Sequence, residues 1–67
     1  MEFKLKYKDE FESREIPKDD YTIKDLIVGL GMSSQTIVSK QNGELVIEDT
    51  VIEEGDKIEL IQIIYGG

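Results

Sequence analysis

Cysteine and histidine are both absent from this chain of 67 residues. Their absence excludes disulfide bridges, thiolate and imidazole metal sites, Cys–His nucleophile pairs and histidine general bases. Tryptophan is missing too, and three scattered tyrosines and two phenylalanines do not make a platform on which nucleic-acid bases stack; Tyr7 and Tyr21 read as packing residues. Positive charge is scarce, with Lys+Arg 8 against Asp+Glu 15 and a formal net charge of −7. Phosphate recognition needs basic residues gathered on one face. Here Lys4, Lys6 and Lys8 stand among Glu2, Asp9 and Glu10, so nucleic acid and anionic membrane surfaces are disfavoured. The acidity favours solubility and basic protein partners. Long hydrophobic runs are lacking, since the longest, Leu26 to Met32, is broken by Gly29 and Gly31 and falls far short of a bilayer span. No basic stretch followed by an apolar core and small-residue cleavage site opens the chain, and a cytoplasmic location is the expectation.

What remains is 39% hydrophobic residues in a chain of one-domain length. Phe3, Leu5 and Tyr7 alternate with Lys4, Lys6 and Lys8, the period-2 pattern of a strand buried on one side. Asp9-Glu10 is read as a turn, and Phe11 to Ile16 as a weaker second strand ended by Pro17. Thr22 caps a helix with Asp25 at capping-box spacing, and Tyr21 and Leu26 stand where a hydrophobic staple would form. Ile23, Leu26, Ile27 and Leu30 make one apolar stripe, Gly31 is the natural stop, and Gly29 suggests close packing against a strand. Thr36 to Lys40 and Leu45 to Ile47 flank Asn42-Gly43, a strong hairpin signal of the type I′ kind. After Val51 and Ile52, Gly55 marks a turn between Glu53 and Asp56, and the last strand runs from Lys57 to Tyr65. Its Ile58 and Leu60 face one way, while Ile61, Ile63 and Ile64 load both faces. The order predicts a sheet with one helix laid across it, and a core of Phe3, Leu5, Ile23, Leu26, Ile27, Leu30, Ile37, Leu45, Ile58 and Leu60.

Chemistry of the chain's own is hard to assemble. The adjacent carboxylates Asp19-Asp20 and Glu53-Glu54 read as solvated, because acid–base work needs carboxylates that converge across a cleft. No stretch has calcium-loop spacing, and no glycine-rich loop opens a helix as a phosphate cradle does. No intrinsic cofactor or metal is expected, and the chain does not read as an enzyme. The end of the sequence is different. Gly66-Gly67 follows a strongly apolar strand, an arrangement expected by chance in about 0.5% of chains at average glycine usage. A glycine tail is slim and permissive, so it can thread a narrow channel, with Tyr65 at its base, and deliver the α-carboxylate of Gly67 to another enzyme's ATP. A carboxylate becomes an acyl donor once its oxygen is turned into a leaving group.

With Asn42-Gly43-Glu44 at a hairpin, Gly55-Asp56 before the last strand, Ile58-Glu59-Leu60-Ile61 within it and Gly66-Gly67 at the end, the stretch from Thr36 to Gly67 resembles the ThiS/MoaD family of ubiquitin-like sulfur carriers. Where MoaD-type carriers have a Pro-Pro pair, this chain has Gln62-Ile63-Ile64-Tyr65, so the tail is similar to the ThiS type. The resemblance implies an α+β fold of the ubiquitin-like β-grasp kind, with a mixed sheet of four to five strands wrapped on one helix over residues 1–64 and a free tail over 65–67. It also implies a carrier that is a substrate of other enzymes and a monomer when free. By the same resemblance, a ThiF/MoeB-like enzyme is expected to adenylate Gly67 with ATP, a sulfur donor to convert the adenylate to a thiocarboxylate, and a biosynthetic enzyme to accept the sulfur for thiamine thiazole formation or tRNA thiolation. Ile61, Ile63 and Val38, on the sheet face away from the helix, are the implied docking residues. Two other readings stand beside it: a ubiquitin-like modifier joined to lysines through Gly67, and an acidic interaction module whose glycines are incidental.

Overall fold

The computed structural model describes residues 1–63. Alternation makes β1 (Glu2–Tyr7), with Phe3 and Leu5 almost wholly buried. It pairs antiparallel with β2 (Glu10–Glu15) across six unbroken positions, from Glu2 opposite Glu15 to Tyr7 opposite Glu10. The two central turn residues are therefore Lys8 and Asp9, at φ 52 and 62, one position earlier than Asp9-Glu10. A two-residue hairpin with right-handed strand twist wants positive φ at both positions, and here non-glycine residues adopt it.

Helix α1 (Ile23–Gly29) begins at the expected cap. The Thr22 hydroxyl accepts from the Asp25 N–H and the Asp25 carboxylate accepts from the Thr22 N–H, both at 3.1 Å, the reciprocal capping arrangement that satisfies two otherwise unpaired donors. The next two helical N–H groups, of Ile23 and Lys24, donate to the carbonyls of Thr50 and Glu48. This binds residues 48–52 over the helix start. Ile52 is thereby buried, at 2% exposure, a core residue that no local periodicity announced. At the other end Gly31 N–H donates to Val28 and Met32 N–H to Ile27, with Gly31 at φ 76, which is the Schellman closure that ends helices at glycine. Gly29 is exposed, and a Cβ there would meet nothing within 4 Å, so the expected close packing against a strand is not its reason.

A 3-10 turn (Ser34–Thr36) leads into β3 (Ile37–Gln41), which turns through Asn42-Gly43 into the short β4 (Glu44–Val46). Asn42 and Gly43 have φ 53 and 89, as the Asn-Gly signal predicted. The last strand, β5 (Lys57–Gln62), pairs parallel with β1 and antiparallel with β3, giving one mixed sheet in the order β2-β1-β5-β3-β4. Pairing in β5 stops at Gln62, so Ile63 lies outside the strand, while the expected Ile64 and Tyr65 fall outside the described residues.

The helix packs on one face of this sheet. Phe3, Leu5, Ile23, Leu26, Ile27, Ile37, Ile52, Ile58 and Leu60 form the buried cluster, and Leu30 is half-buried against it; each full aliphatic or aromatic burial contributes about 2 kcal/mol. Leu45, expected in the core, is 68% exposed. Its register opposite Lys40 puts it on the sheet's outer face, at an edge.

Candidate functional site

The face of the sheet turned away from α1 is the surface the fold leaves unused. Because cross-strand partners share a face, the register specifies its composition. One row crosses all five strands as Phe11, Lys6, Glu59, Lys40 and Leu45. The next row, toward the carboxy-terminal end of β5, sets Val38 directly beside Ile61. Ile58 and Leu60 are buried under the helix while Ile61 is 38% exposed, so alternation along β5 divides the excess apolar residues between two faces. Ile63 N–H donates to the Thr36 carbonyl at 2.8 Å and carries the attachment to β3 as far as the last described residue, itself 36% exposed. Of the expected residues Val38, Ile61 and Ile63, the register makes Val38 and Ile61 neighbours, and Ile63 follows one residue beyond the end of β5.

Charge is unevenly divided. Lys4, Lys6, Lys40 and Lys57 share the outer face with Glu2, Glu15 and Glu59, leaving it one positive charge in surplus on a chain of net charge −7. The Glu59 carboxylate lies 3.8 Å from the Lys6 ammonium, and that ammonium stands 5.4 Å from the Phe11 ring centroid. The acids are concentrated elsewhere, which the interleaving of Lys and Glu in the linear sequence conceals.

Two hydrogen-bond groups hold the carboxy-terminal strand. At its end, the Tyr7 hydroxyl donates to Gln62 Oε1 at 3.1 Å. At its start, the Asp56 carboxylate accepts from Glu53 N–H at 2.8 Å, from Gln41 Nε2 at 2.7 Å and from Asn42 Nδ2 at 3.0 Å. Asn42 Oδ1 in turn accepts from Lys57 N–H at 2.9 Å. Burial pushes the Asp56 carboxyl up, but these three donors outweigh it and hold the group below the usual carboxylate range. The Asn42-Gly43 and Gly55-Asp56 motifs, twelve or more residues apart in sequence, therefore form one clasp. Its partners are accounted for within the fold, which gives both motifs a structural reason.

Asp19, Asp20, Glu53 and Glu54 are all exposed and do not converge. Among the described residues no three acidic side chains gather as a metal site, and no helix is long and apolar enough to cross a membrane. Tyr65, Gly66 and Gly67, the expected threading and reacting residues, lie outside the described residues.

A five-stranded mixed sheet on one helix, in the order β2-β1-β5-β3-β4, defines the ubiquitin-like β-grasp class. Within that class the chain belongs to the ThiS family, whose family model matches residues 4–67. Two solved structures share its fold. SAMP1 from Haloferax volcanii superposes with a TM-score of 0.73 at 17% identity, over 100% of both chains. The thiamine biosynthesis protein (ThiS) from Geobacter metallireducens gives a TM-score of 0.64 at 17% identity, over 96% of this chain and 99% of that one.

Proposed function

We propose that this chain is a sulfur carrier whose reacting group is the carboxylate of Gly67. In the first step a Gly67 oxygen attacks the α-phosphate of ATP held by a ThiF/MoeB-like enzyme; pyrophosphate leaves and an acyl-adenylate forms. In the second, sulfide released by a sulfur donor attacks the acyl carbon, AMP leaves, and a thiocarboxylate remains for a biosynthetic enzyme to use. ATP is the activating enzyme's substrate and not a cofactor of the carrier. Neither step requires a nucleophile, base or metal from the carrier, consistent with a chain that has no cysteine and no histidine.

The observation that carries this reading is the extent of the family match, which runs through Gly66 and Gly67. The outer sheet face supports it. Val38 and Ile61 offer an apolar docking centre near the point where the chain leaves β5, followed by Ile63, and Lys6 and Lys40 in the next row, with Lys4 and Lys57 in the row beyond, add charge on one side of it that steers a partner carrying complementary carboxylates. Four residues follow Ile63, and fully extended they span about 14 Å, so the partner's nucleotide lies within that distance of the docked sheet.

The experiment is pyrophosphate release with the adenylating enzyme from the same cells. Full-length chain supports ATP-dependent release, whereas a chain lacking Gly66 and Gly67 retains its fold and supports none. Equal release from both would refute the proposal. Gly-Gly remnants on target lysines, without thiocarboxylate, would assign the activated carbonyl to protein conjugation instead.

A further inference from the structure

The second open surface is the edge of the sheet at β2. Among the described residues both edges are strands with a free side, but β4 has three residues and β2 has six. β2 contains no proline, and its register with β1 is unbroken, so one row of its backbone N–H and C=O groups faces outward along the whole strand. Edges of this kind pair with other strands unless something prevents it. What protects β2 is charge, and it is mostly of one sign: Glu10, Glu12 and Glu15 against Arg14. Two such edges brought together repel, which keeps copies of this chain apart. A basic strand meets no such barrier.

Beside the edge runs a groove lined by Leu5, Tyr7, Leu30 and Met32, with Glu10 and Glu12 among its walls. The register explains the pairing of apolar floor and acidic rim: Glu12 lies opposite Leu5 and Glu10 opposite Tyr7, on the helix side of the sheet, where α1 does not cover β2. Among the described residues Glu10 takes part in no ion pair, and Glu12 has only Arg14, two positions along its own strand at 3.1 Å. That exposed pair is weak and exchangeable. Lys8 is held over the Tyr7 ring, 5.4 Å from its centroid, and does not line the groove. On the outer side of the same strand Phe11 is 66% exposed.

We propose that the β2 edge binds a basic extended segment of another protein, added to the sheet as a sixth strand. Main-chain hydrogen bonds to β2 supply the attachment, and alternate side chains supply the selection. Lys or Arg at every second position meets Glu10 and Glu12, the aliphatic stems lying along Leu30 and Met32, while the intervening apolar side chains pack beside Phe11. This surface does not involve Gly67, Val38 or Ile61, and it shares the outer sheet face only at Phe11, on the far edge.

The test is titration of a capped hexapeptide of alternating Lys and Val into the isotope-labelled full chain, followed by NMR. The amides of residues 10–15 shift and gain protection from exchange, the Met32 methyl shifts, and Glu10→Gln with Glu12→Gln weakens binding about tenfold or more. Three results overturn the proposal: shifts confined to the Val38 and Ile61 face, equal binding by a Glu-Val peptide, or equal binding by a Lys-Val peptide whose backbone nitrogens are methylated. The last would show ion pairing without strand addition.

Discussion

The Asp56 carboxylate accepts the Asn42 side-chain amide at 3.0 Å, fastening the turn between β3 and β4 to the turn that precedes β5. Gln41 joins the same carboxylate and also reaches the Val51 carbonyl at 3.1 Å. Asp56 N–H donates to Glu53, and its carbonyl accepts from Lys4 N–H, so one residue links β1, β3 and β5 at the end of the sheet opposite the tail.

Asp56→Ala leaves the Gln41, Asn42 and Glu53 donors without their acceptor. A loss of about 2 kcal/mol follows, the scale of hydrogen bonds to a charged group, measurable as a lower urea midpoint with an unchanged slope. A change under 0.5 kcal/mol, roughly the range of ordinary surface substitutions, would show that the clasp contributes little.

Acid sensitivity has a defined direction. Thr22 N–H, with Lys18 nearby, lowers the Asp25 carboxyl, and the clasp lowers Asp56 despite its burial. Both groups titrate at lower pH in the folded chain than in the unfolded one. Their contribution is fully present above the unfolded value of about 4 and is lost as pH falls through the folded values. Urea midpoints should therefore fall below pH 4, and Asp56→Asn should flatten that fall.

Gly29 offers a gain. Its exposed position in the last helical turn, with open space around a new Cβ and no positive φ, fits alanine. Gly29→Ala is expected to stabilise the chain by about 0.5–1 kcal/mol, seen as a higher thermal midpoint.

Much of this fold can be read in the chain because local signals agree with it. The alternation of Phe3, Leu5 and Tyr7, the Thr22-Asp25 box, the Gly31 stop and the Asn42-Gly43 turn each rest on neighbouring residues. The misread positions depend on distant ones. Lys8 and Asp9 turn without glycine because six paired positions dictate the register. Leu45 is exposed since β4 is an edge whose outer face nothing covers, and Ile52 is buried because residues 48–52 cap the helix. Of the candidate site, alternation separates Ile61 from Ile58 and Leu60, and the family resemblance set Val38 beside it, as the register does; that four lysines share the face is not legible, because it depends on the pairing of β1, β3 and β5.

Removing that apolar centre should affect docking and leave folding intact. Ile61→Ser combined with Val38→Ser is expected to raise the KM for the carrier in pyrophosphate release about tenfold, within the range of truncated interface anchors, while kcat changes less. Glu10→Gln with Glu12→Gln, on the β2 edge, should leave both unchanged. The reverse pattern would move the docking surface to β2.

The most direct test is the intact mass of the chain isolated from its own cells under conditions that preserve thiocarboxylates. The account predicts a species heavier than the acid by the difference between sulfur and oxygen, assigned by fragmentation to Gly67 and lost when Gly66 and Gly67 are deleted. If only the free acid is found, even after incubation with the adenylating enzyme of those cells, ATP and a sulfur donor, the sulfur-carrier account is contradicted.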